Sequence, residues 1–96
     1  MNTQIAFITI KEGKMDDAMA ILKEVVPKVR ESEPGTKIYI AYTLEGRKNK
    51  NTIFFYEVYE NKQALDAHMA KLTQILGKLF PLIEGAPDIK TCMEIV

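Results

Sequence analysis

The spacing of apolar residues predicts six elements along the chain. In some stretches apolar and polar residues alternate with period two, and in others apolar residues recur every three or four positions. Period-two alternation and successive β-branched or aromatic residues are typical of strands. Four stretches have this character: Gln4–Lys11, Thr36–Leu44, Thr52–Tyr59 and Ile89–Val96. The third is apolar or aromatic at nearly every position, which predicts a central strand that is covered on both faces.

A helix is predicted between the first two strands. From Asp16 onward the apolar residues recur three and four apart with charged residues between them, and the turn sequence Glu33-Pro34-Gly35 ends the pattern. Pro27 lies inside this helix and has no backbone N–H to complete the helical ladder. We therefore expect a kink or a local irregularity near Lys23.

A second helical region follows the third strand. The side chain of Asn61 is suited to accept a hydrogen bond from the first turn of this helix. One stripe of the helix carries residues at helical spacing: Ala64, Leu65, His68, Met69 and Leu72. Gly77 and Pro81 weaken the continuation of the pattern over Thr73–Ile83, so we expect two short helices rather than one long helix.

The predicted order of elements is strand, helix, strand, strand, helix, strand. This βαββαβ order is typical of an α+β domain of the ferredoxin-like class, with an antiparallel sheet, right-handed crossovers and both helical regions on one face. A chain of 96 residues has the length of one domain. We therefore predict a single ferredoxin-like domain over residues 1–96.

The sheet face opposite the helices predicts a second copy of the chain. Alternation in the third strand places Phe54, Tyr56 and Val58 on that face, which is a large apolar surface for a small domain to expose. Two such sheets packed face to face form a two-fold homodimer with a shared α+β barrel. We expect each protomer to keep its own cavity between sheet and helices.

The helix-facing side of the third strand carries the candidate chemistry. Phe55, Glu57 and Tyr59 alternate on this side, and a helix that folds back over them would present His68 inward. A short segment then gathers a base, an acid and a hydrogen-bonding aromatic group in an apolar pocket.

Each of these residues has a functional interpretation and a structural one. His68 exchanges a proton near neutral pH and is the candidate base, but a single histidine on an apolar helix face is often a core residue. Glu57 could orient His68, act as the base itself or pair with a cation. Tyr59 could hold a substrate oxygen or simply fill the core.

Composition and charge exclude several classes of function. Apolar residues make up 47% of the chain, and thirteen basic residues balance thirteen acidic ones, so no positive field is available to bind nucleic acid or anionic lipid. No apolar run has the length of a membrane span. One histidine and the single Cys92 do not provide a metal site, and no Gly-rich phosphate loop is present. Without a leader segment or paired cysteines, a reducing cytoplasm is the expected location.

Four short sequences occur in a specific order: Gly13-Lys14, Glu33-Pro34-Gly35-Thr36 followed by Tyr39, Phe55-Tyr56-Glu57-Val58-Tyr59, and Ala64-Leu65-Asp66-Ala67-His68. In this order and spacing the chain resembles the antibiotic biosynthesis monooxygenase family, particularly its small quinol monooxygenase-like members. The resemblance spans nearly the whole chain. Several enzymes of that family have a Trp at the strand position of Tyr59, whereas this chain has no Trp.

The resemblance implies a cofactor-free monooxygenase, an oxidoreductase that oxidises a quinol, phenol or enol with molecular oxygen. It implies that His68, Glu57 and Tyr59 are the catalytic residues. The expected substrate contacts come from both sheet and helix: Phe55, Tyr39, Ile5, Leu65 and Leu72. Two alternatives stay open. One is an isomerase of a small phosphorylated ketone, which would need a cationic phosphate site inside the pocket that Lys37 could supply. The other is a noncatalytic dimer that binds a small ligand.

Overall fold

The structure is a computed structural model that describes all 96 residues, and its elements follow the predicted order. The strands and helices are β1 (Asn2–Thr9), α1 (Met15–Ser32), β2 (Thr36–Thr43), β3 (Thr52–Tyr59), α2 (Lys62–Ala70), α3 (Leu72–Leu76) and β4 (Asp88–Cys92). Single 3₁₀ turns occur at Arg47–Asn49 and Phe80–Leu82.

The four strands form one antiparallel sheet in the order β2-β3-β1-β4. The first and third strands of the chain are therefore the central pair, and each crossover passes through a helical region. The core cluster joins side chains of one sheet face to α1 and α3. These features confirm the predicted α+β ferredoxin-like fold.

The helix α1 is continuous from Met15 to Ser32 although Pro27 lies inside it. The prediction of an irregular segment near Lys23 is therefore wrong at the level of secondary structure. Pro27 is exposed, whereas Val26 and Val29 are buried against the sheet. Because the proline ring faces solvent and its neighbours are held by packing, the loss of one backbone hydrogen bond does not break the helix.

The second helical region is split, as predicted. The side chain of Asn61 accepts a hydrogen bond of 2.9 Å from the backbone N–H of Ala64 and caps α2. The helix α2 ends at Ala70, and Lys71 separates it from the five-residue α3.

The last strand is shorter than predicted. Strand β4 ends at Cys92, which pairs with Thr3, and residues 93–96 lie outside the sheet. The alternation of apolar residues continues to Ile95, but β1 begins at Asn2 and offers almost no further partner for hydrogen bonding. A segment with period-two alternation forms no strand where it has no neighbouring strand for backbone hydrogen bonds.

The sheet face away from the helices is apolar and largely uncovered. We call it the open face: Ile5 and Phe7 of β1, Ile38, Ile40 and Tyr42 of β2, and Phe54, Tyr56 and Val58 of β3. The rings of Phe7 and Phe54 are 5.0 Å apart and those of Tyr42 and Phe54 are 5.9 Å apart. Most of these side chains are half-buried, and Tyr42 is 43% exposed.

Candidate functional site

Three neighbouring strands place polar side chains in one row on the helix-facing side of the sheet. Gln4 of β1 and Tyr39 of β2 both lie opposite Glu57 of β3 in the strand register. Side chains of paired residues share a face, so the three groups lie side by side. All three residues are buried, with Glu57 only 4% exposed.

Glu57 is held by two hydrogen bonds. The hydroxyl of Tyr59 donates to its Oε1 atom, and Nε2 of Gln4 donates to the same atom over 3.3 Å. Burial raises the pKa of the Glu57 carboxyl, while these two bonds and the charge of His68 act in the opposite direction. The carboxyl is therefore a better proton acceptor than an exposed glutamate.

His68 is buried between two aromatic rings. Its ring centre is 5.0 Å from that of Tyr39 and 5.4 Å from that of Tyr59, and the residue is 1% exposed. Its Nδ1 atom lies 2.8 Å from Oε1 of Glu33. The expectation that Glu57 orients His68 is therefore wrong, because Glu33 occupies that position.

Glu33 follows α1 and also accepts a hydrogen bond of 2.9 Å from the hydroxyl of Thr36. Its side chain is 11% exposed. Glu33 and His68 belong to a shallow depression of about 150 Å³, which we call the outer cleft. It is lined by Ser32, Glu33, Pro34, Gly35, Thr36, Ala64, Ala67, His68 and Lys71.

A second space lies between the sheet and the helices, and we call it the inner cavity. It has a volume of about 50 Å³. Its polar lining residues are Gln4, Tyr39 and Glu57. The rest of the lining is apolar: Ala6, Ile8, Phe55, Met69, Leu72, Leu76, Leu79, Phe80, Ile83, Pro87 and Ile89.

The predicted site residues do not share one space. Glu57, Tyr39, Phe55 and Leu72 line the inner cavity. His68 lines the outer cleft, and Tyr59 lies between the two spaces, in contact with Glu57 and His68. Leu65 is half-buried on α2 and lines neither space.

Ile5 lies on the open face, opposite Tyr56 in the strand register. Its predicted contact with a substrate in the inner cavity is therefore wrong. The cavity-facing residues of β1 are Gln4, Ala6 and Ile8, which are one position away and point to the other side of the sheet.

Sequence reasoning missed Gln4 and Glu33. Gln4 has a partial signal, because it is the polar member of the set Gln4, Ala6 and Ile8 that alternates along β1, but alternation alone does not say which set faces the cavity. Glu33 had no comparable signal, since its contact with His68 joins residues 35 positions apart.

No three His, Cys, Asp or Glu side chains converge in the chain. None of its helices combines the length and the apolar character needed to cross a membrane.

The fold and the site define a small ferredoxin-like domain with a buried carboxyl and phenol groups beside an apolar cavity. The profile of the antibiotic biosynthesis monooxygenase family matches residues 1–73, which extend from β1 into α3. The chain belongs to this family, and the family supports a general monooxygenase-like role.

Solved structures show the same fold. A structure described as an antibiotic biosynthesis monooxygenase is 22% identical, with both chains fully covered and a TM-score of 0.85. A proposed antibiotic biosynthesis monooxygenase of Caulobacter crescentus is 18% identical, with 99% of this chain and 90% of that chain covered and a TM-score of 0.84. A protein of Shewanella oneidensis is 24% identical over 95% of this chain and 87% of its own, with a TM-score of 0.79. Comparison with curated proteins gives no match.

Proposed function

We propose that this protein is a cofactor-independent monooxygenase that oxidises a quinol, phenol or enol with molecular oxygen. One observation supports the proposal most strongly: the Glu57 carboxyl lines a mostly apolar cavity, and burial raises its pKa. A carboxylate in such a site can remove a hydroxyl proton from a bound substrate, because desolvation makes it a stronger base.

The proposed reaction begins with transfer of the substrate hydroxyl proton to Glu57. The resulting substrate anion is electron-rich and reduces oxygen itself. A substrate that gives up two hydrogen atoms gains one oxygen atom, and the second oxygen atom leaves as water. Gln4 and Tyr39 lie beside Glu57 and have polar groups to hold the substrate oxygen during the proton transfer.

The inner cavity must widen to admit an aromatic ring, because cavities that bury drug-sized ligands usually have volumes of about 300 to 1,000 Å³. Met69 and Phe80 both line the cavity and are each 37% exposed, so they form part of its border with solvent. We propose that rotation of these two side chains opens the cavity. Methionine is suited to this role because its unbranched chain adapts to different packing.

The phosphorylated-ketone alternative receives less support from the geometry. No lysine or arginine lines the inner cavity, and Lys37, the expected cation for a phosphate, is exposed on β2. A buried phosphate group without a cation would be costly to desolvate. The noncatalytic alternative predicts a different result: a quinol would stabilise the folded protein against unfolding but would not be consumed.

The proposal is tested by oxygen consumption with a panel of quinols and phenols, with a ketone proton-exchange assay beside it. We expect Glu57→Gln to lower turnover by about 10²- to 10⁴-fold, because it removes the proton acceptor. The matched control is Glu60→Gln, an exposed glutamate immediately after the same strand. Equal turnover by the wild type and Glu57→Gln would refute the role of Glu57, and proton exchange without oxygen uptake would favour the isomerase.

We also propose that a second copy covers the open face, forming a two-fold homodimer with a shared α+β barrel. The contiguous aromatic group Phe7, Tyr42 and Phe54 supports it, because contiguous exposed apolar surface marks interaction sites. Sedimentation is expected to give a mass of twice 10.9 kDa. Phe54→Lys should yield monomers, whereas Met93→Lys, an exposed apolar position outside the sheet, should not. A monomeric wild type at micromolar concentration would exclude the dimer.

A further inference from the structure

Each of the three polar residues that line the inner cavity has one atom without a hydrogen-bond partner in the protein. Both hydrogen bonds to the Glu57 carboxyl are made at Oε1, so its Oε2 atom has no partner. The amide nitrogen of Gln4 donates to Glu57 and to Sδ of Met69, which is 3.9 Å away, so the amide oxygen is the atom without a partner. The hydroxyl of Tyr39 also has none.

These three atoms face the inner cavity. Every side-chain nitrogen or oxygen that is fully enclosed by protein has a hydrogen-bond partner in this structure. The three atoms are therefore not enclosed, although their residues are at most 6% exposed. The inner cavity is the space that all three residues line. Because a desolvated polar group without a partner is costly, an occupant of complementary polarity is favoured there.

The three atoms offer two acceptors and one donor to that occupant. The ionised carboxylate of Glu57 can only accept a hydrogen bond, and the same holds for the amide oxygen of Gln4. Burial raises the pKa of the Tyr39 hydroxyl, which therefore stays protonated at neutral pH and is able to donate. The matching ligand has two hydroxyl groups that donate, one of which also accepts from Tyr39.

The polar atoms lie together at one end of the cavity. Gln4 and Tyr39 are both paired with Glu57 across the sheet, so the three residues occupy one level along the strands. The next cavity-facing pair, Ala6 and Phe55, is apolar, and so is the whole lining beyond it. A hydroxyl group that reached this apolar end would lose its water without gaining a partner.

We propose that the inner cavity selects a substrate with hydroxyl groups on two adjacent ring carbons, as in 1,2-dihydroxybenzene. This inference rests on the proposed function and names the substrate class. One hydroxyl gives its proton to Oε2 of Glu57 and accepts from Tyr39, while the other donates to the amide oxygen of Gln4. The amide nitrogen of Gln4 is 3.3 Å from Oε1 of Glu57, so the two end groups are in contact and require ligand hydroxyls that are close together. Gln4 is then the residue that determines specificity.

A 1,4-dihydroxybenzene does not match this arrangement. Its two hydroxyl groups point away from each other across the ring, so only one of them can reach the polar end. The other is buried against apolar side chains without a partner. A site that hydrogen-bonds a substrate group rejects the analogue that lacks this group in the right place, and one unpaired buried hydroxyl weakens binding by at least about 10-fold.

The first test measures binding without turnover. The Tm of the protein is recorded without oxygen at increasing concentrations of 1,2-, 1,3- and 1,4-dihydroxybenzene, because a ligand that binds the folded state raises Tm. The three isomers have the same composition and differ only in the position of the second hydroxyl. We expect the 1,2 isomer to bind at least about 10-fold more tightly than the 1,4 isomer. Equal binding, tighter binding of the 1,4 isomer or no binding of any isomer would overturn the inference.

Substitution of Gln4 tests its role in this preference. Gln4→Met removes the amide oxygen from a side chain of similar length. We expect it to weaken binding of the 1,2 isomer by about 10-fold and binding of phenol, which has a single hydroxyl, by much less. Gln63→Met, at an exposed position of α2, is the matched control and should bind both ligands as the wild type does. If Gln4→Met leaves the ratio of the two affinities unchanged, Gln4 does not determine specificity.

Two further variants keep the test independent of the stability of Gln4→Met. Gln4→Asn retains the amide but withdraws it from the cavity by one carbon, and it should show the same loss for the 1,2 isomer. Tyr39→Phe keeps the ring that packs on Phe55 and His68 and removes only the hydroxyl. Because Tyr39 contacts the hydroxyl that both ligands share, Tyr39→Phe should weaken the 1,2 isomer and phenol by the same factor. A loss confined to the 1,2 isomer would contradict this assignment.

The second test measures oxygen consumption with the same three isomers after subtraction of the uncatalysed oxidation. We expect kcat/KM to be highest for the 1,2 isomer. Fastest oxygen uptake with the 1,4 isomer would overturn the inference and leave the proposed function in place. Selective binding of the 1,2 isomer with no oxygen uptake on any isomer would instead refute the proposed function and leave the selectivity of the cavity in place.

Discussion

Substitution of Gly35 by alanine should disturb the contact between the Glu33 turn and α2. A methyl group built on Gly35 lies 2.7 Å from Cβ of Ala64, whereas carbon atoms in van der Waals contact are about 3.5 to 4.0 Å apart. The turn and the helix must therefore separate by roughly 1 Å. Overpacking of this kind costs about 1 to 3 kcal/mol of unfolding free energy.

The size of the effect can be measured by thermal unfolding. For a chain of this length 1 kcal/mol corresponds to about 4 to 8 °C in Tm, so Gly35→Ala should lower Tm by roughly 4 to 24 °C. The contact that must widen joins the turn that carries Glu33 to α2, the helix that carries His68. We therefore expect the 2.8 Å contact between Nδ1 of His68 and Oε1 of Glu33 to lengthen.

A matched double variant separates the clash from other effects of the substitution. Ala64→Gly removes the opposing methyl, and the next atom facing residue 35 is then Cα of Ala64 at 3.7 Å, an ordinary contact. Glycine in a helix costs up to about 1 kcal/mol. Gly35→Ala with Ala64→Gly should nevertheless be more stable than Gly35→Ala alone. Simple addition of the two losses would refute the steric explanation.

Two further predictions concern stability. Because the pKa of Glu57 is higher in the folded protein than its ordinary value, the neutral carboxyl favours folding; this stability is present at acid pH and is lost as pH rises. Glu57→Gln should therefore gain Tm relative to the wild type as the pH rises above the ordinary glutamate pKa of about 4.3, and a Tm difference that stays constant with pH would contradict this explanation. Asn61→Ala removes the side-chain acceptor that caps α2 and should lower stability by about 0.5 to 2 kcal/mol in urea unfolding, with no change expected for exposed Gln63→Ala.

The central strand could be predicted from the sequence in detail because its two faces differ in polarity. Glu57 and Tyr59 mark one side of β3, and their burial against the helices follows from period-two alternation. The order of elements then determines the ferredoxin-like topology, because crossover rules leave few alternatives.

The orientation of β1 could not be predicted in the same way. Ile5 and Phe7 on one side are as apolar as Ala6 and Ile8 on the other, so the pattern does not distinguish the two faces. A shift by one residue exchanges every side chain between the faces, and only the register with β3 decides it. The alternation of β1 is therefore equally compatible with Ile5 in the cavity and with Ile5 on the open face.

The partner of His68 could not be predicted because it depends on how α2 docks on the turn after α1. The helical spacing of the apolar residues on α2 correctly predicted that His68 points inward. That direction alone does not identify which carboxylate contacts its imidazole. Two carboxylates were available, Glu57 on the strand and Glu33 in the turn. Helix docking depends on side-chain shapes across the whole contact, which a pattern in a single sequence does not contain.

The alternation of β3 also bears on how proteins of this architecture change over generations. Phe55 and Glu57 face the cavity, while Phe54 and Tyr56 between them face the opposite side. Neighbouring codons therefore encode residues of two different faces. A substitution on the cavity face leaves the side chains of the open face in place, and the reverse also holds, unless the backbone shifts. If the open face forms the proposed homodimer and the inner cavity binds the proposed substrate, substrate preference and self-recognition would be free to change independently, and a small domain would acquire a new specificity without first losing its partner.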